Sequence, residues 1–238
     1  MSEPRYWGLV AAAGRGRRMG DDTRPKQYHR LAGREVLVWS VEALRQVSGL
    51  AGIMVVRAED DDNDWARLDL LSATDVRSCR GGRTRQISVL AGLEALRGWG
   101  AEDTDRILIH DAARPAVTPA AIRRLIETVG DDPDGGLLAV PARDTLKRAG
   151  EDGRVSETPD RTGLWQAMTP QLFPLGRLRD ALKACADSAV TDEAQAMERQ
   201  GARPLLVVGD PGNVKYTYPE DARWLAHALH HQREGAGG

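Results

Sequence analysis

Short apolar runs alternate with segments of helical period along most of this chain. The runs at 7–12, 52–57, 75–79, 106–109, 136–140 and 204–208 read as strands. Several are apolar on both faces, as buried parallel strands are. Between them, Leu37, Val38, Val41 and Leu44 share one helical face, and Ile87, Leu90, Ala91 and Leu93 predict another. Ile122, Leu125, Ile126 and Val129 line a third. Thr191-Asp192-Glu193-Ala194 opens a further helix, with its acids favourably placed in the first turn. Pro219-Glu220-Asp221 opens the last, predicted to bury Trp224, Leu225 and Leu229. This alternation predicts an α/β fold with a mostly parallel sheet and helices on both faces. In such sheets ligands bind beyond the carboxyl ends of the strands. One stretch, 141–163, breaks the pattern. Two extended segments flank the glycine-containing turn Ala149-Gly150-Glu151-Asp152-Gly153, which predicts a β-hairpin. It has little apolar surface of its own, and an isolated ribbon is marginal in water, so it is expected to pack on a second subunit.

Composition narrows the classes. The chain has 238 residues, of which 41% are hydrophobic and 29% charged, an ordinary globular balance that we read as one domain over 1–238. Its net charge of -2 provides no overall field for nucleic acid or an anionic membrane. No apolar run approaches the ~20 residues of a membrane span, and the start Met1-Ser2-Glu3-Pro4-Arg5 lacks signal-peptide features. Cys79 and Cys185 form no disulfide framework and read as reduced thiols of a cytoplasmic protein. The acidic run from Glu59 to Asp64 lacks the glycine and terminal glutamate of a calcium loop and reads as a solvated loop leading into a helix.

Three motifs carry candidate chemistry, each just after a predicted strand. The first is Ala11-Ala12-Ala13-Gly14-Arg15-Gly16-Arg17-Arg18-Met19-Gly20, followed by Pro25-Lys26-Gln27. It lacks the Gly-Lys-Ser/Thr of a P-loop, and Met19 stands where a dinucleotide fingerprint needs its third glycine. Glycines let backbone N–H groups approach phosphate oxygens, and Arg18 and Lys26 add positive charge. That suits a nucleoside triphosphate; the alternative is a tight turn with exposed arginines. The second motif, Gly81-Gly82-Arg83-Thr84-Arg85-Gln86-Ile87-Ser88, leads into a helix whose first turn holds Ser88. It serves either as an anion and base-edge ligand or as a plain cap. In the third, His110-Asp111-Ala112-Ala113-Arg114-Pro115, Asp111 is placed to meet a substrate hydroxyl or phosphate-bound magnesium, or to pair with Arg114. His110 reads as a structural hydrogen-bonding residue. Thr145, Lys147, Arg161, Thr169, Thr191, Asn213 and Lys215 matter only if the fold gathers them. His29, His227, His230 and His231 read as exposed, with no chemistry assigned.

Taken in order, AAAGRGRRMG…PKQY, GGRTRQISVLAGL, HDAARP, PARDTLKR, DRTGLWQAMTPQLF, TDEAQAME and GNVKYTYPEDA resemble the 2-C-methyl-D-erythritol 4-phosphate cytidylyltransferase family over about residues 7–230. The resemblance implies a Rossmann-like nucleotidyltransferase fold and a homodimer joined through the arm at 141–163. It implies CTP and a small polyol phosphate as substrates, with Mg2+ held mainly by the CTP phosphates and no metal ligand assigned on the protein. By the same resemblance Gly14, Gly16, Arg18 and Lys26 form the triphosphate loop, and Arg18, Lys26 and Lys215 are the cations of catalysis. Ala11, Ala12, Gly82 and Ser88 bind cytidine, while Asp111, Thr145, Arg161, Thr169 and Thr191 line the substrate site. Arg161 is expected to reach a partner's pocket. One departure is Arg83, where the family often carries an acidic residue, so base reading is expected from backbone groups of Ala11, Ala12 and Gly82. The rival readings are a cytidylyltransferase for another polyol phosphate, such as ribitol 5-phosphate, and a non-catalytic nucleotide-binding module.

Overall fold

A computed structural model of the chain describes residues 3–14, 16, 24–61, 73–186 and 189–235. The elements run β1 (Tyr6–Ala12), a 3-10 turn (Lys26–Tyr28), the short strands β2 (Arg30–Leu31) and β3 (Arg34–Glu35), α1 (Val36–Arg45), β4 (Leu50–Arg57), β5 (Val76–Arg80) and α2 (Arg85–Gly98). They continue with β6 (Arg106–Asp111), α3 (Pro119–Val129), β7 (Gly136–Pro141), β8 (Arg148–Ala149), β9 (Val155–Glu157), β10 (Trp165–Pro174), α4 (Leu175–Ala184), α5 (Glu193–Arg199), β11 (Leu205–Val208) and α6 (Asp221–Gly235).

Seven strands form one sheet in the order β11-β7-β10-β6-β1-β4-β5. All six strands predicted from the sequence belong to it, and every pairing is parallel except those of β10. Alternation along the strands makes two cores. Val10, Val55, Leu108 and Leu138 face α1 and α3. Leu9, Val56, Ile109 and Leu137 face α2, α4 and α5. The helices therefore cover both faces, as the both-faces-apolar strands require.

Strand β10 was not foreseen. It is antiparallel to β6 and β7 and lies between them. Its sequence holds Gln166, Pro170 and Gln171, which do not read as a central strand. The register with β7 slips between Ala167 and Gln171, and Pro170 sits in that slip, where a missing N–H breaks no ladder bond.

Two helix faces differ from expectation. On α2 the buried side is Ser88, Val89, Gly92, Leu93 and Leu96, while Ile87 is 51% exposed. Gly92 explains the rotation: a Cβ there would meet Val56 at 2.6 Å and Leu9 at 2.7 Å, so the helix touches the sheet along a glycine that hydrophobic pattern cannot register. On α6, Leu225 and Leu229 are buried but Trp224 is 75% exposed, because the 225/229 spacing sets the inner face and 224 falls beside it. The acidic run also departs from expectation. Asp61 is buried, accepts a hydrogen bond from the Tyr28 hydroxyl, and its carbonyl accepts from Arg80; residues 62–64 lie outside the described residues.

The hairpin is present. The chain leaves the sheet at Pro141, forms the antiparallel pair β8–β9, and returns at Trp165, opposite Pro141. Every residue of β8 and β9 is exposed.

At the opposite end of the sheet from the strands' carboxyl ends, Asp105 gathers the chain. Its carboxylate accepts from the backbone N–H of Arg5 at 2.9 Å and of Glu102 at 3.0 Å, and from the indole of Trp7 at 2.9 Å. Each orphaned buried donor costs about 1–3 kcal/mol. Asp105→Ala is therefore expected to lower the unfolding free energy by about 2–4 kcal/mol in urea titration. A loss below about 1 kcal/mol would show that water replaces the carboxylate at no cost.

Candidate active site

The chain runs from β1 out to β4 and β5, then returns to place β6 on the other side of β1. This reversal opens a cleft beyond the strands' carboxyl ends. A pocket of about 670 Å3 lies there. Ala11, Ala12, Gly14, Gly16, Lys26, Gly82, Ser88, Asp111 and Lys215 all line it, so the structure gathers nine of the predicted site residues from four separate stretches of chain.

The glycine loop is tied at both ends. The buried Gln27 side chain donates to the Ala12 carbonyl at 2.7 Å, and the Lys26 ammonium donates to the Tyr216 carbonyl at 2.7 Å. Gly16 has φ of +67°, and a Cβ there would meet the Lys26 side chain at 3.1 Å, so a side chain at 16 would both strain the turn and displace the lysine. Arg18 lies outside the described residues.

The second wall is the turn from β5 into α2. Thr84 caps the helix by accepting from the Ile87 N–H at 3.2 Å. The Ser88 hydroxyl accepts from the Gly82 N–H at 3.1 Å and donates to the Thr84 carbonyl at 2.8 Å. A Cβ on Gly81 would sit 2.7 Å from that hydroxyl oxygen. The motif is thus a cap, and the same turn lines the pocket.

Asp111 ends β6, level with Ala11 of β1. Its buried carboxylate is met by Arg85 at 2.5 Å and by the Lys215 ammonium at 2.7 Å. Arg114 is more distant at 3.9 Å and donates instead to the Asn213 carbonyl at 2.7 Å. Burial alone would raise the Asp111 carboxyl, but Arg85, then Lys215 and Arg114, hold it well below the usual carboxylate range. Arg85 also makes a two-pronged pair with buried Glu193, at 3.0 and 2.8 Å. Arg85 and Glu193 were not assigned roles from sequence, although both stand inside the quoted motifs. The usable signal was an arginine one residue after a helix cap and an acid at the opening of the next helix.

Thr169 lies behind Asp111 rather than in the pocket. Its hydroxyl oxygen accepts from the Asp111 N–H at 3.0 Å and meets His110 Nδ1 at 3.0 Å. His110 Nε2 lies 3.1 Å from the Arg114 carbonyl. A carbonyl only accepts, so Nε2 carries the ring proton and Nδ1 takes the Thr169 hydroxyl proton. His110 is thus the structural residue expected. Thr145 and Arg161 are exposed on the hairpin segment, away from this pocket, with Arg161 donating to the Arg143 carbonyl. Thr191 is exposed ahead of α5, where its N–H donates to the Gln195 side chain at 2.9 Å.

Among the described residues no three His, Cys, Asp or Glu side chains form a metal cage. The wall carboxylates are Glu59, Asp60 and Asp111. That donor set fits a Mg2+ ion held chiefly by phosphate oxygens and water, with at most one or two carboxylates.

The family model for 2-C-methyl-D-erythritol 4-phosphate cytidylyltransferase matches residues 7–231. A protein of that name from Pseudomonas entomophila (strain L48) is 49% identical over 224 residues, covering 93% of this chain and 94% of its own. A crystal structure of a 4-diphosphocytidyl-2C-methyl-D-erythritol synthase superposes with a TM-score of 0.83 at 39% identity, covering 96% of this chain and all of that one. The Francisella tularensis cytidylyltransferase structure gives a TM-score of 0.80 at 30% identity, over 94% and 99% of the two chains.

Burial pushes the His110 imidazole down to about 4, against about 6.5 in an unfolded chain. Between those values the unfolded state binds the extra proton, so stability is present above pH 6.5 and is lost as pH falls. This group alone is expected to remove about 2 kcal/mol between pH 7 and pH 5. Urea titrations at both values check it: His110→Gln should lose that part of the pH slope, and an unchanged slope would mean that the imidazole titrates alike in the folded and unfolded chain.

Proposed function

The chain belongs to the 2-C-methyl-D-erythritol 4-phosphate cytidylyltransferase family, and from that premise we propose that the pocket beyond β1, β5 and β6 is where its two anionic substrates meet. The enzyme transfers CMP from CTP to 2-C-methyl-D-erythritol 4-phosphate, giving 4-diphosphocytidyl-2-C-methyl-D-erythritol and pyrophosphate in the non-mevalonate isoprenoid pathway. The observation that carries the reading is the convergence of the glycine loop, Lys26, Lys215 and Asp111 on one cleft.

In the reaction a phosphate oxygen of the polyol phosphate bonds to the α-phosphorus of CTP, and the bond to the bridging oxygen breaks as pyrophosphate leaves. The main obstacle is repulsion. Like charges about 4 Å apart cost roughly 4 kcal/mol at an effective dielectric near 20. Lys26 and Arg18 neutralise charge on the triphosphate and the pentavalent phosphorus, while Lys215 holds the incoming phosphate and Asp111 the substrate hydroxyls. Held chiefly by the CTP phosphates, with Glu59, Asp60 and Asp111 the carboxylates of the same wall, Mg2+ would withdraw negative charge from the reacting phosphates. The nucleophile needs no base, because a phosphate monoester is largely deprotonated near pH 7. His110 is buried, neutral and committed to Thr169 and Arg114, so it is not one.

The hairpin supports a homodimer. Arg161 and Thr145 do not line the cleft of their own chain, and Val155 on the hairpin is 62% exposed. An arm that reaches a second subunit would place Arg161 at the partner's substrate phosphate. No helix among the described residues is long and apolar enough to cross a membrane, and both cysteines are thiols, which supports a cytoplasmic enzyme.

Pyrophosphate release from CTP is expected with 2-C-methyl-D-erythritol 4-phosphate and not with ribitol 5-phosphate. Lys26→Ala and Arg18→Ala are each expected to slow it by ~10²–10³, a loss of turnover far larger than any loss of fold; near-native turnover in either removes its catalytic role. For the arm, inactive Arg161→Ala and inactive Lys26→Ala chains should regain activity on mixing, since mixed dimers carry one intact composite site. No recovery despite demonstrated subunit exchange would place Arg161 outside the partner's site.

A further inference from the structure

Helix α6 packs Leu225 and Leu229 against Leu31, Val36, Trp39 and Tyr216. Its outer side carries His227 and His231, both exposed and one helical turn apart, so that their side chains stand one above the other. Their Nε2 atoms lie 3.1 Å from each other, with ring centroids 4.3 Å apart and planes crossed at 85°. This spacing is that of two ligands sharing a metal. With metal–nitrogen bonds of about 2.0–2.1 Å, two imidazole nitrogens are about 2.9 Å apart at a right angle and about 3.3 Å apart at the tetrahedral angle. The observed separation, that of a hydrogen bond between the rings, falls between the two, so the nitrogens need little change of spacing to share an ion.

We propose that His227 and His231 form a two-imidazole chelate for a late first-row divalent cation, Cu2+, Ni2+ or Zn2+, with water in the remaining positions. In the metal-free chain one Nε2 donates to the other; on binding, that ring gives up its Nε2 proton to water and takes one at Nδ1, so that the ion has both Nε2 lone pairs. The chemistry separates this site from the nucleotide cleft. Carboxylate and phosphate oxygens suit Mg2+, whereas paired imidazoles suit the later transition metals. Sequence spacing of the same kind, two histidines four apart on one helix face, is a known zinc-ligating geometry. Binding would link one turn of α6 across its solvent side.

Calorimetric titration of the untagged full chain with Cu2+, Ni2+, Zn2+ and Mg2+ tests the proposal. One ion per chain is expected at this site, with Cu2+ bound more tightly than Ni2+ and no binding of Mg2+ there. His227→Asn and His231→Asn should each weaken Ni2+ binding at least about tenfold, a loss of the size produced even by outer partners of a metal. His230→Asn, whose ring centroid lies 6.3 Å from that of His231, should leave it unchanged. The Cu2+ complex should show two imidazole nitrogens by electron paramagnetic resonance, and one in either variant. All three side chains are exposed, and metal-free melting temperatures verify that the variants fold. Wild-type affinity in the His227 or His231 variants, loss in the His230 variant alone, or no binding up to millimolar metal would overturn the assignment.

Discussion

A carboxylate buried at the end of the central strand must be met by cations, and Asp111 imposes that condition on four parts of the chain. Transferring such a charge from water costs several kcal/mol unless partners and hydrogen bonds compensate. Arg85 answers from the first turn of α2, Lys215 from the segment before α6, and Arg114 from the turn just after β6. Glu193 joins from α5 by engaging the other side of Arg85. Three cations thus face two carboxylates where β1 and β6 end. The sheet supplies the rigid floor, and the charge condition decides which loops come to it.

The same condition shapes the chemistry. Lys215 is held at Asp111 before any substrate arrives, so its position is set by the fold rather than by the ligand. Groups fixed in advance need little reorganisation when charge develops. Behind Asp111, Thr169 and His110 complete a chain of hydrogen bonds that fixes the strand end itself. Their role is orientation, and the buried neutral imidazole is compatible with a ring of cations because it adds no further positive charge.

The parallel strands were legible because burial on both faces leaves continuous apolar runs. β10 was not, because its place in the sheet rests on neighbours and a register slip around Pro170 rather than on its own pattern. The inner face of α2 was misread for a related reason: close packing there depends on what Gly92 lacks. Asp61 shows the limit of charge runs as a guide, since one acid of the run turns inward to Tyr28. In the site, residues that follow strands were readable because topology brings strand ends together. Arg85 and Glu193 required knowing that α2 and α5 pack on the same face of the sheet. Thr145 and Arg161 stand apart within one chain, and no periodicity along that chain encodes where a second copy's pocket would lie.

Hydrogen-bond inventory limits which groups of the turn from β5 into α2 could read a base. Cytosine is distinguished from uracil by an exocyclic amino donor, so a site that selects it must offer an acceptor. Arg83, on the pocket wall, has five donors and no acceptor. Ser88 accepts the Gly82 N–H and has one proton to give, and the Thr84 carbonyl is its nearer acceptor, at 2.8 Å against 3.1 Å for the Gly82 carbonyl. That leaves the Gly82 carbonyl with capacity to receive an amino group, beside the backbone of Ala11 and Ala12 in the same wall. Base selection proposed for this turn therefore rests on main-chain geometry. The acceptor proposed for the cytosine amino group is the Gly82 main-chain carbonyl, which the side chain at position 83 neither supplies nor removes.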